Sequence, residues 1–425
     1  MTVLALAIFI ATLVTVLTRP RGINEGLVAV VGAALMVATG LVPLGAALGL
    51  LAGNWNIFLF FLGMLTVTAL AEQAGIFTWL ALQAARLSRG SRRLLFLNVF
   101  GLGALISTFL TNDATALILT PVVYSVVRLL ELDPLPYMFA CTFIADTASL
   151  TLPVSNPINL VIGERFGLTT AGFLRYLLLP SLVAILVNIA VFLLIFRRRI
   201  GGRFDPALLR APTEGPEPNP LFFRYTAAVL GLLAAAFVVG GVAGVQLGIV
   251  AVVGAAALLS GAAALRCVDA RRFARDFSWS IFPFVGGFFV VVEGVERAGL
   301  IAPFGRLLTA ADGNAPLTAL LSIGVSAVGT NLINNLPMAL VLLKAIGAAH
   351  HATGATGRAL VYGAILGCDL GPNLTTTGSL STMLWLLLLR QRGLRVSSLQ
   401  YLRLGLLVTP LMLAAAALIL GLIVS

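Results

Sequence analysis

Apolar runs long enough to cross a bilayer follow one another along nearly the whole chain, and they limit what it can fold into. A helix needs roughly 20 apolar residues for one crossing. Charged residues make up 10% of the sequence and its mean hydropathy is +1.06, whereas soluble domains carry about 25% charged residues. Residues 2–17 lack a basic stretch and a small-residue cleavage site, so they are interpreted as a first span and not as a signal peptide. The sequence therefore predicts an all-α integral membrane protein.

The apolar runs form two groups with the same layout, separated by a polar linker. After an arginine triplet at 197–199 the chain becomes polar and rich in proline. We therefore predict a first repeat over residues 1–200, a cytoplasmic linker over 201–223 and a second repeat over 224–425. Each repeat contains five spans and one paired apolar segment. The predicted spans are 2–17, 27–47, 55–73, 137–163 and 174–196 in the first half and 224–240, 245–264, 278–296, 359–390 and 399–424 in the second, and the paired segments are 94–128 and 316–348.

Matched residues support an internal repeat. The stretch WNIFLFFLGMLTVTALAEQAG begins at Trp55, and WSIFPFVGGFFVVVEGVERAG begins at Trp279. Both have the same spacing from tryptophan to the final glycine, and Glu72 and Glu296 occupy matched positions near their ends. The other matches are Thr108 with Thr330, Asn112-Asp113 with Asn334-Asn335, and Asp146 with Asp369. The two halves therefore share one element order.

The number of spans and the distribution of charge predict the orientation. Five crossings are an odd number, so the repeats enter the membrane with opposite orientation. With both termini outside, all but six of the 27 Lys and Arg residues fall on the cytoplasmic side of a bacterial inner membrane, as the positive-inside rule requires. The six outside are Arg165, Arg175, Arg297, Arg306, Lys344 and Arg358. Basic residues thus indicate orientation and not a nucleic-acid partner, and Trp55, Trp279 and Trp385 fit interfacial anchors. Re-entrant hairpins and pairs of full spans have the same parity, so the charge distribution does not separate them for 94–128 and 316–348. The arms 94–110 and 114–127 are slightly short for full spans, which favours a hairpin in the first segment.

Four polar segments interrupt the apolar runs: STFLTNDATALILTP (107–121), FIADTASLTLPVSNPIN (143–159), GTNLINNLPMAL (329–340) and GCDLGPNLTTTGSLSTMLW (367–385). Inverted repeats are typical of secondary transporters, which bind solutes near the bilayer midplane where helices are broken. We therefore predict re-entrant hairpins and broken helices at the midplane. The candidate substrate- and proton-binding residues are Asn112, Asp113, Asp146, Thr147, Ser149, Ser155, Asn156, Asn334, Asn335, Asp369, Gly371, Asn373, Thr377, Gly378 and Ser379.

The composition of these breaks favours binding of a small polar solute. A carboxylate at the bilayer centre costs about 3 kcal/mol, so it seldom persists there without a function. Irregular backbone at that depth must be satisfied by protein or by a water-filled cavity. Removal from water favours the neutral form of a carboxylic acid, which makes proton coupling accessible to Asp113, Asp146 and Asp369. A helix cap or an arginine partner remains an alternative for Asp113 and Asp146. Two adjacent histidines and three scattered cysteines predict neither a metal site nor a cofactor.

The breaks resemble those of the arsenite efflux permeases of the ion transporter superfamily. The strings that carry the resemblance are TNDATALILTP, ACTFIADTASLTLPVSNPINLV, NNLPMALV and GCDLGPNLTTTGSLSTMLWL. The resemblance covers essentially the whole chain, with the same element order and the same central basic loop. The chain departs from the family pattern in having Asn373 where a basic residue is frequent, Thr376-Thr377 in place of Thr-Pro, and Ser155-Asn156-Pro157 in place of Ser-Asn-Leu.

The resemblance implies export of trivalent arsenic or antimony hydroxides, driven by inward proton movement in an alternating-access antiporter. It also implies a transport domain, with two hairpins and two broken helices around the site, that moves against a scaffold. The family's motifs match all the candidates above except Asn373 and Thr377, which come from the fourth break alone. A soluble arsenic-stimulated ATPase docks on the cytoplasmic face in some members. A homodimer is a further expectation.

Other functions stay open at this point. Related permeases exchange sodium for protons, export silicic acid or carry dicarboxylates. A passive channel would need no titratable group at the breaks. An intramembrane aspartyl protease would use paired aspartates such as Asp146 and Asp369, but its Gly-x-Gly-Asp motif is absent from the sequence. The sequence has no phosphate-binding glycine loop, so the chain is predicted to be a transporter and not itself an ATPase.

Overall fold

The computed structural model describes residues 1–210, 219–311, 313–348 and 354–425, and every regular element in these ranges is a helix. The first half contains α1 (Thr2–Thr18), α2 (Glu25–Ala38), α3 (Leu44–Gly53), α4 (Trp55–Gln73), α5 (Ile76–Leu87), α6 (Arg92–Phe109), α7 (Asn112–Ala114), α8 (Thr120–Leu129), α9 (Leu135–Ala148), α10 (Pro157–Arg165) and α11 (Thr170–Phe196). The second half contains α12 (Pro220–Val242), α13 (Leu247–Ala264), α14 (Ala270–Asp276), α15 (Ile281–Arg297), α16 (Ala302–Leu308), α17 (Ala315–Ile333), α18 (Asn335–Ala348), α19 (Gly354–Leu370), α20 (Leu380–Gln391) and α21 (Ser398–Val424). A π-helix covers Thr115–Leu119, and 3-10 helices cover Pro20–Gly22, Pro153–Ser155, Pro206–Arg210 and Gly371–Leu374.

Seven helices of the described chain are long and apolar enough to cross a membrane: α4, α6, α11, α12, α13, α17 and α21. Large apolar side chains such as Leu232 and Leu422 are about 70% exposed on the outer surface of the molecule. Extended exposed apolar surface of this kind is stable in lipid and not in water. The prediction of an all-α membrane protein is confirmed.

Close helix packing repeats in the two halves. α4 packs against α13, and its counterpart α15 packs against α2. A Cβ at Gly63 would lie 2.5 Å from the backbone of Ala251, and a Cβ at Gly287 would lie 2.5 Å from that of Ala29. Small residues at these crossings let the backbones approach as membrane helices commonly do.

The two repeats run in opposite directions. The Phe58 ring lies 6.4 Å from that of Phe289, and the Phe61 ring lies 6.5 Å from that of Phe282. The numbering rises along one helix as it falls along the other, so α4 and α15 are antiparallel. Because α4 and α15 occupy equivalent places in the repeat, the halves are inverted relative to each other.

The helices assemble into two bodies, which we call the frame and the bundle. The frame consists of α1 to α4 and α12 to α15, where α1 also packs on α2 and α12 on α13. The bundle consists of α6 to α11 and α17 to α21, built around the pairs α6–α9, α17–α19 and α11–α21. The short helices α5 and α16 connect the frame to the bundle in each half.

Each paired segment is a hairpin whose tip ends beside a broken helix. The first hairpin reverses at Asn112, whose side chain donates to Asp146 at the end of α9. The second reverses at Asn335, whose backbone N–H donates to the carbonyl of Gly378 at 2.9 Å, in the break between α19 and α20. The tips therefore stop at the breaks of the helix pairs α9–α10 and α19–α20. Both paired segments therefore have the tip-to-break geometry of a re-entrant hairpin.

Prolines lie within both breaks. Pro153 follows α9, Pro157 occupies the first position of α10, and Pro372 follows α19. Proline has no N–H to donate and is favoured at a first helical position, so Pro157 begins α10 as a new helix. α20 begins instead at Leu380, directly after its cap Ser379.

Two details differ from the sequence-based expectations. The predicted span 27–47 is wrong as a single helix: α2 ends at Ala38 and α3 begins at Leu44, after Pro43 has removed a backbone donor. Trp385 is not an interfacial anchor, because it is fully buried and packs against Phe139 and Tyr401.

Candidate functional site

Asp146, near the end of α9, accepts hydrogen bonds from both halves of the chain. One carboxylate oxygen accepts from Asn112 Nδ2 at 3.2 Å. The other accepts from Ser379 Oγ at 3.2 Å and from Thr382 Oγ1 at 3.4 Å. Asp146 is 1% exposed. Three neutral donors thus replace water around this carboxyl group.

Asp369, near the end of α19, occupies the equivalent place in the second half. A single oxygen, Oδ1, accepts from Asn156 Nδ2 at 2.6 Å and from Ser149 Oγ at 3.1 Å. The other oxygen, Oδ2, is buried without a hydrogen-bond partner in the described part of the chain. Asp369 therefore has fewer donors than Asp146.

The two carboxyl groups exchange partners across the halves. Asn156 is the N-cap of α10 and accepts from Ile158 N at 3.2 Å, while Ser379 is the N-cap of α20 and accepts from Thr382 N at 3.1 Å. N-cap side chains satisfy the free N–H groups that begin a helix. Each aspartate of one half is thus bonded to the residue that caps the broken helix of the other half.

Asp113 lies at the tip of the first hairpin and is half-buried. Its carboxylate accepts from Ser381 Oγ, in the first turn of α20. Thr111 caps this turn by accepting from Ala114 N at 3.2 Å, and Asn112 Oδ1 accepts from Asp113 N at 3.0 Å. The hairpin tip therefore presents the Asp113 carboxylate toward the second half of the chain.

Asn334 forms the tip of the second hairpin with a strained backbone. Its φ of 72° and ψ of 156° belong to a region that glycine dominates. Its Nδ2 donates to the Thr377 carbonyl at 3.1 Å, while its Oδ1 is buried with no hydrogen-bond partner among the described residues. Strain of this kind collects at ligand sites and switch regions.

The fourth break is packed tightly against the second hairpin. A Cβ at Gly378 would lie 2.5 Å from the Cα of Pro372, and a Cβ at Gly371 would lie 2.6 Å from the Cα of Ala327. Asn331 Nδ2 donates to the Gly371 carbonyl at 2.8 Å. Both glycines are therefore required by close approach of the backbone.

Two further candidates lie behind the hairpin tips. Thr147 Oγ1 accepts from Asn188 Nδ2 at 2.8 Å and from Asn373 Nδ2 at 3.3 Å, which joins α9, α11 and the fourth break. Ser155 Oγ donates to the Thr108 carbonyl at 2.7 Å, which joins the second break to α6. These side chains position the breaks and the hairpins.

A small cavity of about 30 Å³ lies where frame and bundle meet. It has room for about two water molecules. The frame contributes Phe61, Ile281 and Phe284. The polar residues of the bundle that line it are Asn112, Asp113, Asn156, Asn334, Asn335 and Ser381. Asp113 is the only carboxylate among the described residues that line it, and none of them is basic.

The structure divides the predicted site residues into two sets. Those around the cavity are Asn112, Asp113, Asn156, Asn334 and Asn335. Those in the supporting network are Asp146, Thr147, Ser149, Ser155, Asp369, Gly371, Asn373, Thr377, Gly378 and Ser379.

The sequence-based set omitted residues that belong to the same network. Ser381 and Thr382 begin α20 directly after its cap, and Asn331 lies within the third break. These three could have been found from their place in the polar segments. Asn188 carried a different signal, since it is an amide within the otherwise apolar helix α11.

Inverted repeats, two re-entrant hairpins and a polar cavity at two broken helices define a fold of the secondary-transporter class. The structure is similar to the YdaH transporter of Alcanivorax borkumensis, with a TM-score of 0.57, 15% identity, and coverage of 88% of this chain and 86% of that one. It is also similar to MtrF of Neisseria gonorrhoeae, from a class of antimetabolite efflux pumps, with a TM-score of 0.59, 14% identity, and coverage of 92% and 84%. At these identities the likeness shows the fold alone.

Sequence comparison identifies the family. The family model for arsenical pump membrane protein matches residues 4–424. The chain is 35% identical to the arsenical pump membrane protein of Escherichia coli (strain K12) over 410 residues, which cover 96% of this chain and 95% of that protein. It is 27% identical to an uncharacterized transporter of Mycobacterium tuberculosis, covering 99% and 98%. The chain belongs to the arsenical pump membrane protein family and is a multi-pass membrane transporter.

Proposed function

We propose that the protein exports arsenite and antimonite in exchange for protons by alternating access. Membership of the arsenical pump family supports arsenical efflux. The uncharged amide and hydroxyl side chains that make up most of the polar lining of the cavity favour binding of a neutral solute that carries hydroxyl groups. Trivalent arsenic hydroxide is neutral at pH 7 and presents only hydroxyl groups. Amide oxygens and a carboxylate can accept hydrogen bonds from these hydroxyl groups.

The observation that carries the proton coupling is the position of Asp113. It lines the cavity, it is half-buried, and its one described side-chain donor is Ser381. Asp146 was an equal candidate in the sequence, but its carboxylate already accepts from Asn112, Ser379 and Thr382. We therefore assign the transported proton to Asp113 and a positioning role to Asp146.

The exchange proceeds in two strokes. Ionised Asp113 accepts a hydrogen bond from a solute hydroxyl and carries the solute to the outside. A proton from outside then neutralises Asp113, which releases the solute and lowers the cost of returning through a low-dielectric environment. One proton moves inward in each return, and the membrane potential contributes about 2.3 kcal/mol per charge per 100 mV.

The bacterial inner membrane, with both termini outside, is part of this proposal and follows from the distribution of basic residues. A soluble ATPase partner, which the family resemblance implies, and a homodimer both stay predictions. Neither is needed for the proton-driven cycle.

Transport in everted membrane vesicles tests the proposal. Arsenite uptake is measured with and without an imposed pH gradient, for the wild type, for Asp113→Asn and for the matched control Asp133→Asn. Asp133 is an exposed carboxylate paired with Arg199 at 3.5 Å. We expect gradient-driven uptake in the wild type and the control, and its loss in Asp113→Asn with downhill arsenite exchange retained.

Each other outcome changes the assignment. If Asp113→Asn retains gradient-driven uptake, the transported proton is carried by a group other than Asp113. If the pH gradient does not change arsenite flux, and Asp113→Asn has the same flux as the wild type, the protein is a passive channel. A wild type that moves no arsenite rejects the substrate, and flux that depends on sodium identifies a sodium–proton exchanger.

A further inference from the structure

A charged cluster joins the frame to the bundle at one end of the molecule. Lys344 of α18 lies 2.6 Å from Glu293 and 2.5 Å from Glu296, both on α15. Arg297 Nε contacts the other oxygen of Glu293 at 2.6 Å. The Glu293 side chain is 10% exposed and that of Lys344 is 21% exposed. Ion pairs sheltered from water to this degree are stronger than pairs on an exposed surface.

A second polar contact joins the same two bodies. Asn56, at the start of α4, donates from Nδ2 to Glu164, near the end of α10. Its Oδ1 accepts from Gly248 N of α13 at 3.0 Å. Asn56 is thus fixed within the frame while it holds a carboxylate of the bundle.

Both contacts lie at the same end, which we call the latch end. Because α4 and α15 are antiparallel, Asn56 lies beyond the Phe58–Phe289 contact in the direction of Glu293. On the bundle, a Cβ at Gly347 would lie 3.9 Å from Arg165 Nη2, so the ends of α10 and α18 are adjacent.

At the opposite end, an open cavity of about 690 Å³ lies between the bundle and the end of α4. It is lined by Glu72 at the end of α4, by Thr78 of α5, by Ser125 and other residues of α8, and by Arg392 after α20. The sequence places this end on the cytoplasmic side.

The internal repeat has lost its symmetry at these contacts. Aligned on the matched residues of the two halves, Lys344 corresponds to Val122 and Glu293 to Ala69, while Glu164 corresponds to Leu387. Lys344 is also the only lysine of the chain. Glu296 keeps a carboxylate counterpart in Glu72, and Asn56 keeps a polar one in Ser280. The asymmetry therefore lies in Lys344, Glu293 and Glu164, which have apolar counterparts at the cavity end.

We propose that Lys344, held by Glu293 and Glu296, is an ionic latch that closes the latch end while the opposite cavity is open. Separation of α18 from α15 at this end requires Lys344 to leave both carboxylates. The latch therefore favours the conformation described by the structure and sets how often the protein reaches the alternative one. This inference rests on the proposed alternating access.

Alkylation of single reporter cysteines in the purified full-length chain tests the latch. In a background in which Cys141, Cys267 and Cys368 are replaced by alanine, one reporter is Val161→Cys, which is buried one turn before Glu164, and the other is Ser125→Cys in the large cavity. We expect Lys344→Met to raise the rate of maleimide alkylation at position 161 about tenfold and to lower it at position 125. The matched control Arg306→Gln, an exposed cation of α16, leaves both rates unchanged.

A rescue variant and the direction of the two changes distinguish the latch from general loosening. Lys344→Arg keeps the positive charge that both carboxylates contact and retains the wild-type rates. Two unchanged rates in Lys344→Met overturn the latch, and so does a rise at both reporters. The assay contains no arsenite, so it remains informative if the transported solute proves to be a different one.

Discussion

The unequal bonding of the two aspartates predicts that removing one helix cap destabilises the protein more than removing its counterpart. Asn156→Ala deletes the shortest hydrogen bond to Asp369, at 2.6 Å, and also uncaps α10. Ser379→Ala deletes one of three bonds to Asp146 and uncaps α20. The first change leaves Asp369 with Ser149 as its one remaining donor in the described chain, whereas the second leaves Asp146 with two.

The magnitudes follow from these contacts. A hydrogen bond to an ionised or poorly satisfied buried group contributes about 1.5–3 kcal/mol, and an N-cap contributes about 1 kcal/mol. We therefore expect Asn156→Ala to lower the free energy of unfolding by about 3 kcal/mol. Ser379→Ala should lower it by about 1.5 kcal/mol, because the two remaining donors still satisfy Asp146.

The assay is reversible unfolding of the purified protein by SDS in mixed micelles, followed by circular dichroism. A double-mutant cycle of Asn156→Ala with Asp369→Asn measures the interaction free energy between these two side chains. We expect a coupling free energy of about 1.5 kcal/mol or more, as for contacting hydrogen-bonded residues. A coupling below about 0.5 kcal/mol, or a greater loss in Ser379→Ala than in Asn156→Ala, refutes the reasoning.

Three smaller perturbations test the packing of the breaks. Gly378→Ala should reduce the yield of folded protein by size-exclusion chromatography, because a Cβ would lie 2.5 Å from the Cα of Pro372, whereas Gly101→Ala has open space and should not. Asn334→Ala should lower the free energy of SDS unfolding by about 1–2 kcal/mol more than Asn334→Gly, since only glycine adopts that backbone without strain. Asn188→Leu should lower it by about 1 kcal/mol through loss of the bond to Thr147, and an unchanged value would remove Asn188 from the network.

Much of the fold could be predicted because membrane insertion leaves a strong signal in sequence. Apolar length and the matched spacing from Trp55 and Trp279 are sufficient to predict the repeat, and the basic residues predict its orientation. Short helices such as α5 and α16 were not predicted, because they are too short to have the length signature of a span. The interruption at Pro43 was missed for a related reason: the apolar composition continues on both sides of it.

The composition of the site could be predicted, but its pairing could not. Alignment of the halves makes Asp146 equivalent to Asp369 and Asn156 equivalent to Ser379. Equivalence does not say that each aspartate bonds to the cap of the opposite half. Contacts between residues so far apart in the chain depend on how the inverted halves interlock, and a single sequence carries no direct record of that. Trp385 shows the same limit, since its burial depends on Phe139 and Tyr401 from distant helices.

The pattern of polar contacts indicates where the molecule can move. Within the bundle, each broken helix is bonded through its cap to an aspartate of the other half, so separating the halves would leave buried carboxyl groups unsatisfied. At the small cavity the frame presents Phe61, Ile281 and Phe284, apolar surfaces that can slide without breaking hydrogen bonds. Motion of the bundle as one unit against the frame therefore costs less than motion within it. Polar contacts cross this boundary at the latch end. Their strength should control the rate at which the bundle moves against the frame.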